Sequence, residues 1–261
     1  MTQSVVVQVG QCGNQVGCRF WDLALREHAH VNKVGLYDEA LSSFFRNKGG
    51  DAIAAVLIDM EEGVVHRILQ GPLREVFDSA QLLTDVSGSG NNWAVGNLTY
   101  GSAYMDSIVN KLRKAAEHCD CLQCFFLIHS MGGGTGSGLG TRVLSLLEEE
   151  FPDVCRIVTA MYPSAEDDVI TSPYNSVLAM KELTEHADCV LPVENQSLVD
   201  IVNKISLMSH DAKPGCVLKK ESTVTSGQGG VSPTERPFDA MNNIVANLLL
   251  NITSEIISLW N

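Results

Sequence analysis

Residues 130–138, Ser-Met-Gly-Gly-Gly-Thr-Gly-Ser-Gly, have the composition of an anion-binding loop. The glycines leave room for phosphate oxygens and for positive-φ conformations, both of which a Cβ would obstruct. Thr135 and Ser137 add hydroxyl donors to the backbone N–H groups. The pattern predicts a phosphate-binding loop. The alternative is a flexible loop that is glycine-rich by composition.

A second group of this kind occupies residues 10–15, Gly-Gln-Cys-Gly-Asn-Gln. In a helix that starts here, Gln11 and Gln15 lie one turn apart on the same face, so both amides can reach one phosphate or sugar. Cys12 lies at the same junction. The alternative is a glycine-tightened turn with polar caps.

Two weaker groups complete the set of candidate positions. Asp59, Glu61 and Glu62 follow an apolar run over residues 53–58, and carboxylates at the carboxyl end of a parallel strand suit Mg²⁺. A solvated acidic turn would have the same residues. Residues 87–93, Ser-Gly-Ser-Gly-Asn-Asn-Trp, offer amide donors to phosphate but are, by composition alone, an ordinary polar turn.

The elements that must position these groups alternate between strands and helices. Buried strands are predicted at residues 4–9, 53–58, 124–129, 156–162 and 188–193, and helices follow most of them. This alternation predicts an α/β fold, a three-layer, doubly wound, mainly parallel sheet with helices on both faces. A long loop is expected over residues 209–237 and a long apolar helix over residues 238–259.

Composition excludes several classes of protein. The formal net charge of −13 in 261 residues, with no basic stretch, argues against a nucleic-acid-binding function. No apolar run reaches the roughly 18 residues of a membrane helix, and no signal peptide is recognisable, so no membrane partner is expected and the eight cysteines are predicted to be reduced thiols. Cys119, Cys121 and Cys124 suggest zinc, but no second cluster completes a site.

The spacing of the glycines also excludes familiar nucleotide and hydrolase motifs. The sequence has no Gly-x-x-x-x-Gly-Lys-Ser/Thr, no strict Gly-x-Gly-x-x-Gly and no Gly-x-Ser-x-Gly. Residues 132–138 instead resemble the glycine signature of tubulins and the related bacterial division GTPases, and residues 10–15 and 90–93 are similar to two further loops of that family. The resemblance runs from Met1 to about Ser254, and residues 118–124, 166–175 and 237–247 are similar to the epsilon class of the family.

The resemblance implies a set of binding residues for GTP or GDP with Mg²⁺. Asp59 and Glu61 would address the metal ion, Asp168 and Ser172 the ribose, and Asn195, Phe238 and Asn242 the base. Ser172 stands where several tubulins have an acidic residue, and Asn242 could equally be a satisfied buried amide. The positions implied around the phosphates are Gly10, Gln11, Cys12, Gln15, Gly90, Asn91, Ser130, Gly132, Gly133, Gly134, Thr135 and Gly136.

The resemblance further implies a cytoskeletal protein of the cytoplasm that contacts other tubulins longitudinally and acts at the centrosome, centriole and basal body. Residues 1–237 would form the GTP-binding domain and residues 238–261 a central helix with a divergent end. Because the sequence stops before the acidic loop of the family, we expect GTP binding without activation of a neighbour's hydrolysis. The alternatives are a doubly wound dinucleotide-dependent enzyme and a non-functional fragment.

Overall fold

A computed structural model describes residues 3–33, 43–47, 51–164, 167, 169–211 and 237–253. The strands are β1 (Gln3–Val9), β2 (Phe45–Asn47), β3 (Asp51–Ile53), β4 (Ala55–Asp59), β5 (Leu82–Thr84), β6 (Leu122–Ser130), β7 (Cys155–Tyr162) and β8 (Cys189–Glu194). The longer helices are α1 (Gly10–Val31), α2 (Glu62–Leu69), α3 (Met105–Glu117), α4 (Gly140–Glu150), α5 (Ser172–His186), α6 (Asn195–Asp211) and α7 (Pro237–Thr253). Short helical turns occur at Arg74–Val76, Ser79–Gln81, Val95–Tyr100, Gly101–Ala103 and Thr135–Leu139.

Six strands form one parallel sheet in the order β5-β4-β1-β6-β7-β8. β1 lies between β4 and β6, where Val6 is in register with Ala55 on one side and Phe126 on the other. The chain first winds outward through β4 and β5 and then winds the other way through β6, β7 and β8. This reversal opens a crevice at the carboxyl ends of β1 and β6, where doubly wound proteins bind their ligands.

Helices cover both faces of this sheet, which is why its strands are near-continuous apolar runs. In β4 the successive residues Val56 and Leu57 belong to opposite apolar clusters, as the two-residue period of a strand requires. One cluster includes apolar residues of α3, α4 and α5, and the other includes residues of α1, α2, α6 and α7. The predicted three-layer, doubly wound fold is confirmed.

The last described helix, α7, packs on the face that also carries α1. Val245, Ala246 and Leu249 are buried there, and Arg19 Nε of α1 donates to Asn243 Oδ1 at 3.2 Å. Leu248 is 41% exposed on the opposite side. None of the helices that the structure describes is long and apolar enough to cross a membrane.

Several element boundaries differ from the predicted ones. α3 begins at Met105, and the residues before it form the two short turns Val95–Tyr100 and Gly101–Ala103. α5 begins at Ser172, with Thr171 as its N-cap and Pro173 in its first turn. α6 continues to Asp211, and α7 begins at Pro237, one residue before the predicted start of the last helix. Residues 212–236 of the predicted loop and residues 254–259 of the last predicted helix lie outside the described residues.

Candidate functional site

A cleft of about 360 Å³ opens at the switch point between β1 and β6. The loops after β1, β4, β5 and β6 supply most of its surface, and the ends of β7 and β8 together with α7 supply the rest. The residues that line it are Gly10, Gln11, Cys12, Gln15, Asp59, Glu61, Val64, Ser89, Gly90, Asn91, Ser130, Gly133, Gly134, Thr135, Gly136, Met161, Asn195, Phe238, Met241 and Asn242.

The turn between β1 and α1 lies directly against the glycine loop that follows β6. Gly10 has φ +74°, a left-handed conformation that favours glycine, and a Cβ there would lie 3.2 Å from the backbone N of Gly136. A Cβ on Gly136 would overlap the hydroxyl and backbone of Ser130. Glycine is therefore favoured at position 10 by its conformation and its approach to the second turn, and at position 136 by the close packing of that turn on Ser130.

The glycine loop passes into α4 through the π-helical turn Thr135–Leu139. Ser137 donates a hydrogen bond from its hydroxyl to the carbonyl of Gly133 inside this turn. The second π-helical turn, Val95–Tyr100, packs beside it, and Asn97 Nδ2 donates to Gly138 O at 3.2 Å. Such turns are frequent at functional sites, because the additional residue changes which groups face a ligand.

The loop after β5 is held against the glycine loop by side-chain hydrogen bonds. The hydroxyl oxygens of Ser89 and Thr135 lie 2.8 Å apart. Asn91 has φ +51°, and its carbonyl accepts from Thr171 Oγ1 at 2.7 Å and from Asn175 Nδ2 at 2.9 Å. A left-handed backbone at a residue other than glycine persists only where its surroundings hold it, so this loop has a defined conformation.

Asp59, the last residue of β4, presents a carboxylate at the cleft. Its side chain is 3% exposed; Oδ1 accepts from the backbone N–H of Glu61 at 3.3 Å, whereas Oδ2 has no hydrogen-bond partner among the described residues. Burial is the main reason that the pKa of Asp59 is raised to about 6. A buried, unpaired carboxylate oxygen beside a second carboxylate at Glu61 fits a Mg²⁺ ion, which prefers oxygen ligands.

The cleft contains no cationic side chain that could balance an anionic ligand: neither lysine nor arginine is present among its described lining residues. Burial raises the pKa of the Cys12 thiol to about 12, so this thiol is neutral near pH 7. His129, fully buried at the end of β6, is neutral as well, because burial lowers its pKa to about 4. An anion bound in this cleft would therefore have to rely on backbone N–H groups, side-chain amides, hydroxyls and a metal ion.

A second and wider cleft of about 860 Å³ lies next to the first and shares Gln15, Val64, Phe238 and Asn242 with it. Its walls come from α1, α2, α6 and α7, away from the glycine loops. Two of its cations, Arg19 and Arg26, are both paired with Asp22, at 2.7 and 2.8 Å. The backbone donors suited to phosphate are therefore in the smaller cleft.

The structure brings most of the sequence-predicted residues to the smaller cleft. Gly132 and Ser172 are not among its lining residues: both are buried, and the Ser172 hydroxyl donates to Asp167 Oδ2 at 2.7 Å. Asp168 lies outside the described residues. The predicted residues that line the cleft are Gly10, Gln11, Cys12, Gln15, Asp59, Glu61, Gly90, Asn91, Ser130, Gly133, Gly134, Thr135, Gly136, Asn195, Phe238 and Asn242.

Four lining residues were not predicted from sequence: Val64, Ser89, Met161 and Met241. Three of these are apolar side chains whose types are common in any core. Ser89 lies within the predicted Ser-Gly-Ser-Gly-Asn-Asn loop, so the sequence placed it near the cleft. Its hydrogen bond to Thr135 could not be predicted from the sequence.

The strand order and the loops around this cleft define a class of protein, and the chain belongs to the Tubulin/FtsZ family: residues 3–203 match the family model described as Tubulin/FtsZ family, GTPase domain. The predicted tubulin resemblance, with its epsilon class, is confirmed. The chain is 68% identical to the tubulin epsilon chain of Homo sapiens over 271 aligned residues, which cover 97% of this chain and 57% of the human protein.

Two further relatives extend this comparison. The tubulin epsilon chain of Mus musculus is 66% identical over 271 residues, again 97% of this chain and 57% of the relative. The tubulin beta-3 chain of Zea mays is 39% identical over 211 residues, 77% of this chain and 47% of the maize protein. The chain thus spans 57% of the length of the two epsilon relatives.

Proposed function

We propose that the smaller cleft binds a guanine nucleotide, GTP or GDP, together with Mg²⁺. The observation that carries this proposal is the convergence on one cleft of four loops, those after β1, β4, β5 and β6, each predicted separately as a nucleotide contact. The cleft occupies the switch point at which doubly wound proteins bind ligands. Membership of a family whose model describes a GTPase domain supports guanine as the base.

The phosphates would be held by backbone N–H groups of the two glycine turns and by the side-chain amides of Gln11, Gln15 and Asn91. These donors carry no net charge, so the negative charge of the phosphates must be offset by other means. Asp59 would hold Mg²⁺ directly or through water, with Glu61 beside it, and the bound ion supplies that positive charge.

The base would lie between α6 and α7. Phe238 is 56% exposed, which leaves a ring face for stacking, and the amides of Asn195 and Asn242 line the same cleft. For the ribose we retain Asp168 and Ser172 as proposed contacts. The hydrogen bond from Ser172 to Asp167 would have to open for its hydroxyl to reach a sugar.

Titration calorimetry with GTP, ATP and NAD, with and without Mg²⁺, tests the nucleotide assignment. We expect GTP to bind at least about 100-fold more tightly than ATP or NAD, a difference of about 2.7 kcal/mol. Preference for NAD would favour a dinucleotide-dependent enzyme, and absence of binding to all three would reject the proposal.

Asn195→Ala should reduce GTP affinity, whereas Asn203→Ala, at an exposed position of the same helix, should not.

For the whole protein we extend the proposal to a cytoskeletal role: a GTP-binding domain over residues 1–237, a central helix from residue 238, longitudinal contacts with other tubulins, and action at centrioles and basal bodies. Family membership and the similarity to two tubulin epsilon chains support it. α5 also exposes the apolar side chains of Tyr174 and Val177, of the kind found at protein contacts. Co-sedimentation with polymerised tubulin tests the contact, and imaging of the tagged chain in ciliated cells tests the location.

A further inference from the structure

Asn175, in the first turns of α5, connects two loops of the cleft without lining the cleft itself. Its side chain is 3% exposed, and its Oδ1 accepts the backbone N–H of Trp93 at 2.9 Å. Its Nδ2 donates to the carbonyl of Asn91 at 2.9 Å and to the carbonyl of Gly132 at 2.8 Å. One side chain therefore uses its acceptor and both of its amide hydrogens on the loops after β5 and β6.

The residue type is explained by these distant contacts and not by the helix. Asparagine is a poor residue for a helix interior, because its amide competes for backbone hydrogen bonds. Here the amide points out of α5, while the backbone N–H of Asn175 makes the ordinary helical bond to Thr171 O at 3.0 Å. Toward the start of α5 the amide makes a contact of 3.5 Å, from Nδ2 to Thr171 Oγ1, which is longer than each of its three hydrogen bonds to the two loops.

The loop that Asn175 holds has a conformation that needs support. Asn91 has φ +51°, which is unfavourable for a residue with a Cβ. Its carbonyl is fixed from two sides, by Asn175 and by the hydroxyl of Thr171 at 2.7 Å. Asn91 and Gly133 both line the cleft, so the contacts behind them set the distance between the two loops on the side away from the ligand.

We propose that Asn175 is a positioning residue that clamps the 88–93 loop to the 131–136 loop in the arrangement that binds the nucleotide phosphates, an inference that rests on the proposed guanine-nucleotide function. Fixing both loops before the ligand arrives reduces the conformational entropy lost on binding. Asn175 should therefore affect the affinity for some ligands and not for others. The affinity for ligands that carry phosphates depends on Asn175, whereas the affinity for guanosine, which lacks phosphates, does not.

The test compares Asn175→Asp with wild-type in the 261-residue chain. The substitution keeps an oxygen for the Trp93 N–H but replaces the donor with an oxygen that faces the carbonyls of Asn91 and Gly132. Asn110→Asp makes the same chemical change at an exposed position of α3 and serves as the control. We expect GTP affinity, measured by calorimetry with Mg²⁺, to fall at least about tenfold in Asn175→Asp (about 1.4 kcal/mol). Guanosine affinity, measured by competition, should change less than about twofold, and Asn110→Asp should match wild-type for both ligands.

Equal weakening of GTP and guanosine by Asn175→Asp would show a merely structural role, and unchanged GTP affinity would overturn the inference while leaving the proposed function intact. If the wild-type chain binds no guanine nucleotide, the proposed function and this inference both fail.

If Asn175→Asp does not melt cooperatively, Thr171→Val is the variant that tests the inference, because it removes one hydrogen bond to the Asn91 carbonyl at an exposed position. A loss of about threefold or more in GTP affinity with guanosine unchanged supports the inference, and no loss overturns it. Hydrogen exchange at the Trp93 amide should accelerate in Asn175→Ala while amides of β1 remain protected.

Discussion

At the scale of single residues, Asp59 combines burial with an unused carboxylate oxygen. Its pKa, raised from 3.8 to about 6, means that the carboxylate is ionised near pH 7.5 at a cost of about 3 kcal/mol to the folded state. Asp59→Asn removes that cost, so we expect the metal-free chain to gain up to about 3 kcal/mol in free energy of unfolding. Urea denaturation at pH 7.5 in the presence of a chelator measures this.

The same substitution should abolish stabilisation by Mg²⁺. An ion present at 100 times its dissociation constant stabilises a protein by about 2.7 kcal/mol, so the GTP-bound wild-type chain should melt at a higher temperature when Mg²⁺ is added. Glu62→Gln, an exposed carboxylate three residues on that does not line the cleft, is the matched control. An equal response to Mg²⁺ in Asp59→Asn and in this control would exclude Asp59 as a ligand.

Gly10 tests the close approach of the two glycine turns. Alanine at this position must adopt φ +74° and lie 3.2 Å from Gly136 N, so we expect a loss of about 1–2 kcal/mol in free energy of unfolding. GTP affinity should fall about tenfold or more, because both turns line the cleft. Gly63→Ala in α2 meets no atom within 4 Å and should be neutral or stabilising by up to about 1 kcal/mol. Similar losses in both variants would contradict this account.

These residues differ in how far a sequence alone can predict them. Gly10 and the glycines after β6 could be predicted because a glycine cluster at a strand–helix junction has a local cause. Asn175 could not, since its partners Trp93, Asn91 and Gly132 lie 82, 84 and 43 residues away in the sequence. For Ser172 the prediction named a ribose contact, whereas the hydroxyl, buried at the start of α5, points to Asp167.

At the scale of elements, α7 joins one wall of the cleft to the apolar layer beneath it. Met241 and Asn242 line the cleft, and two turns further on Leu249 is 2% exposed in the layer shared with α1. Leu249→Ala should lower the free energy of unfolding by about 2–5 kcal/mol, as for other buried leucines. Its neighbour Leu248 is 41% exposed, and Leu248→Ala should cost less than about 1 kcal/mol.

Urea denaturation of both variants measures this difference, and GTP titration of the folded fraction adds a second observation. If α7 loosens when its buried side is truncated, Leu249→Ala should also weaken GTP binding, whereas Leu248→Ala should leave it unchanged. Equal stability of the two variants would mean that α7 is not held by the buried side described here.

The elements also differ in how well the sequence predicts them. The strands of the sheet and the helices that cover it could be predicted from the apolar runs, because burial on both faces of the sheet leaves a strong local pattern. The π-helical turns Val95–Tyr100 and Thr135–Leu139 did not, since each depends on the other for its packing: a Cβ on Gly138 would meet Asn97 N at 2.8 Å. A turn whose shape is set by a segment some forty residues away has no local sequence signal.

At the scale of the whole molecule, two buried groups near the carboxyl ends of β4 and β6 have opposite effects on stability in acid. Burial lowers the pKa of His129 from 6.5 to about 4. Between these two pH values the unfolded chain binds a proton at His129 that the folded chain does not bind, so stability is lost as pH falls. Asp59 has a pKa raised from 3.8 to about 6, so in that range the folded chain binds the proton first, and stability is gained as pH falls. Each effect amounts to about 3 kcal/mol over its full range.

Substituting either group should therefore expose the effect of the other group on the pH dependence of stability. Relative to wild-type, Asp59→Asn should lose about 3 kcal/mol in free energy of unfolding between pH 7 and pH 4, because the compensating proton uptake is gone. His129→Gln, which destabilises the core at every pH, should change in the opposite direction by a similar amount over the same range. Urea denaturation of the three chains without Mg²⁺ at pH 7, 5.5 and 4 gives these differences, and subtraction from wild-type cancels the titration of the remaining carboxylates. Parallel pH profiles for all three chains would show that neither group is buried as described, since a group titrating alike in both states contributes no slope.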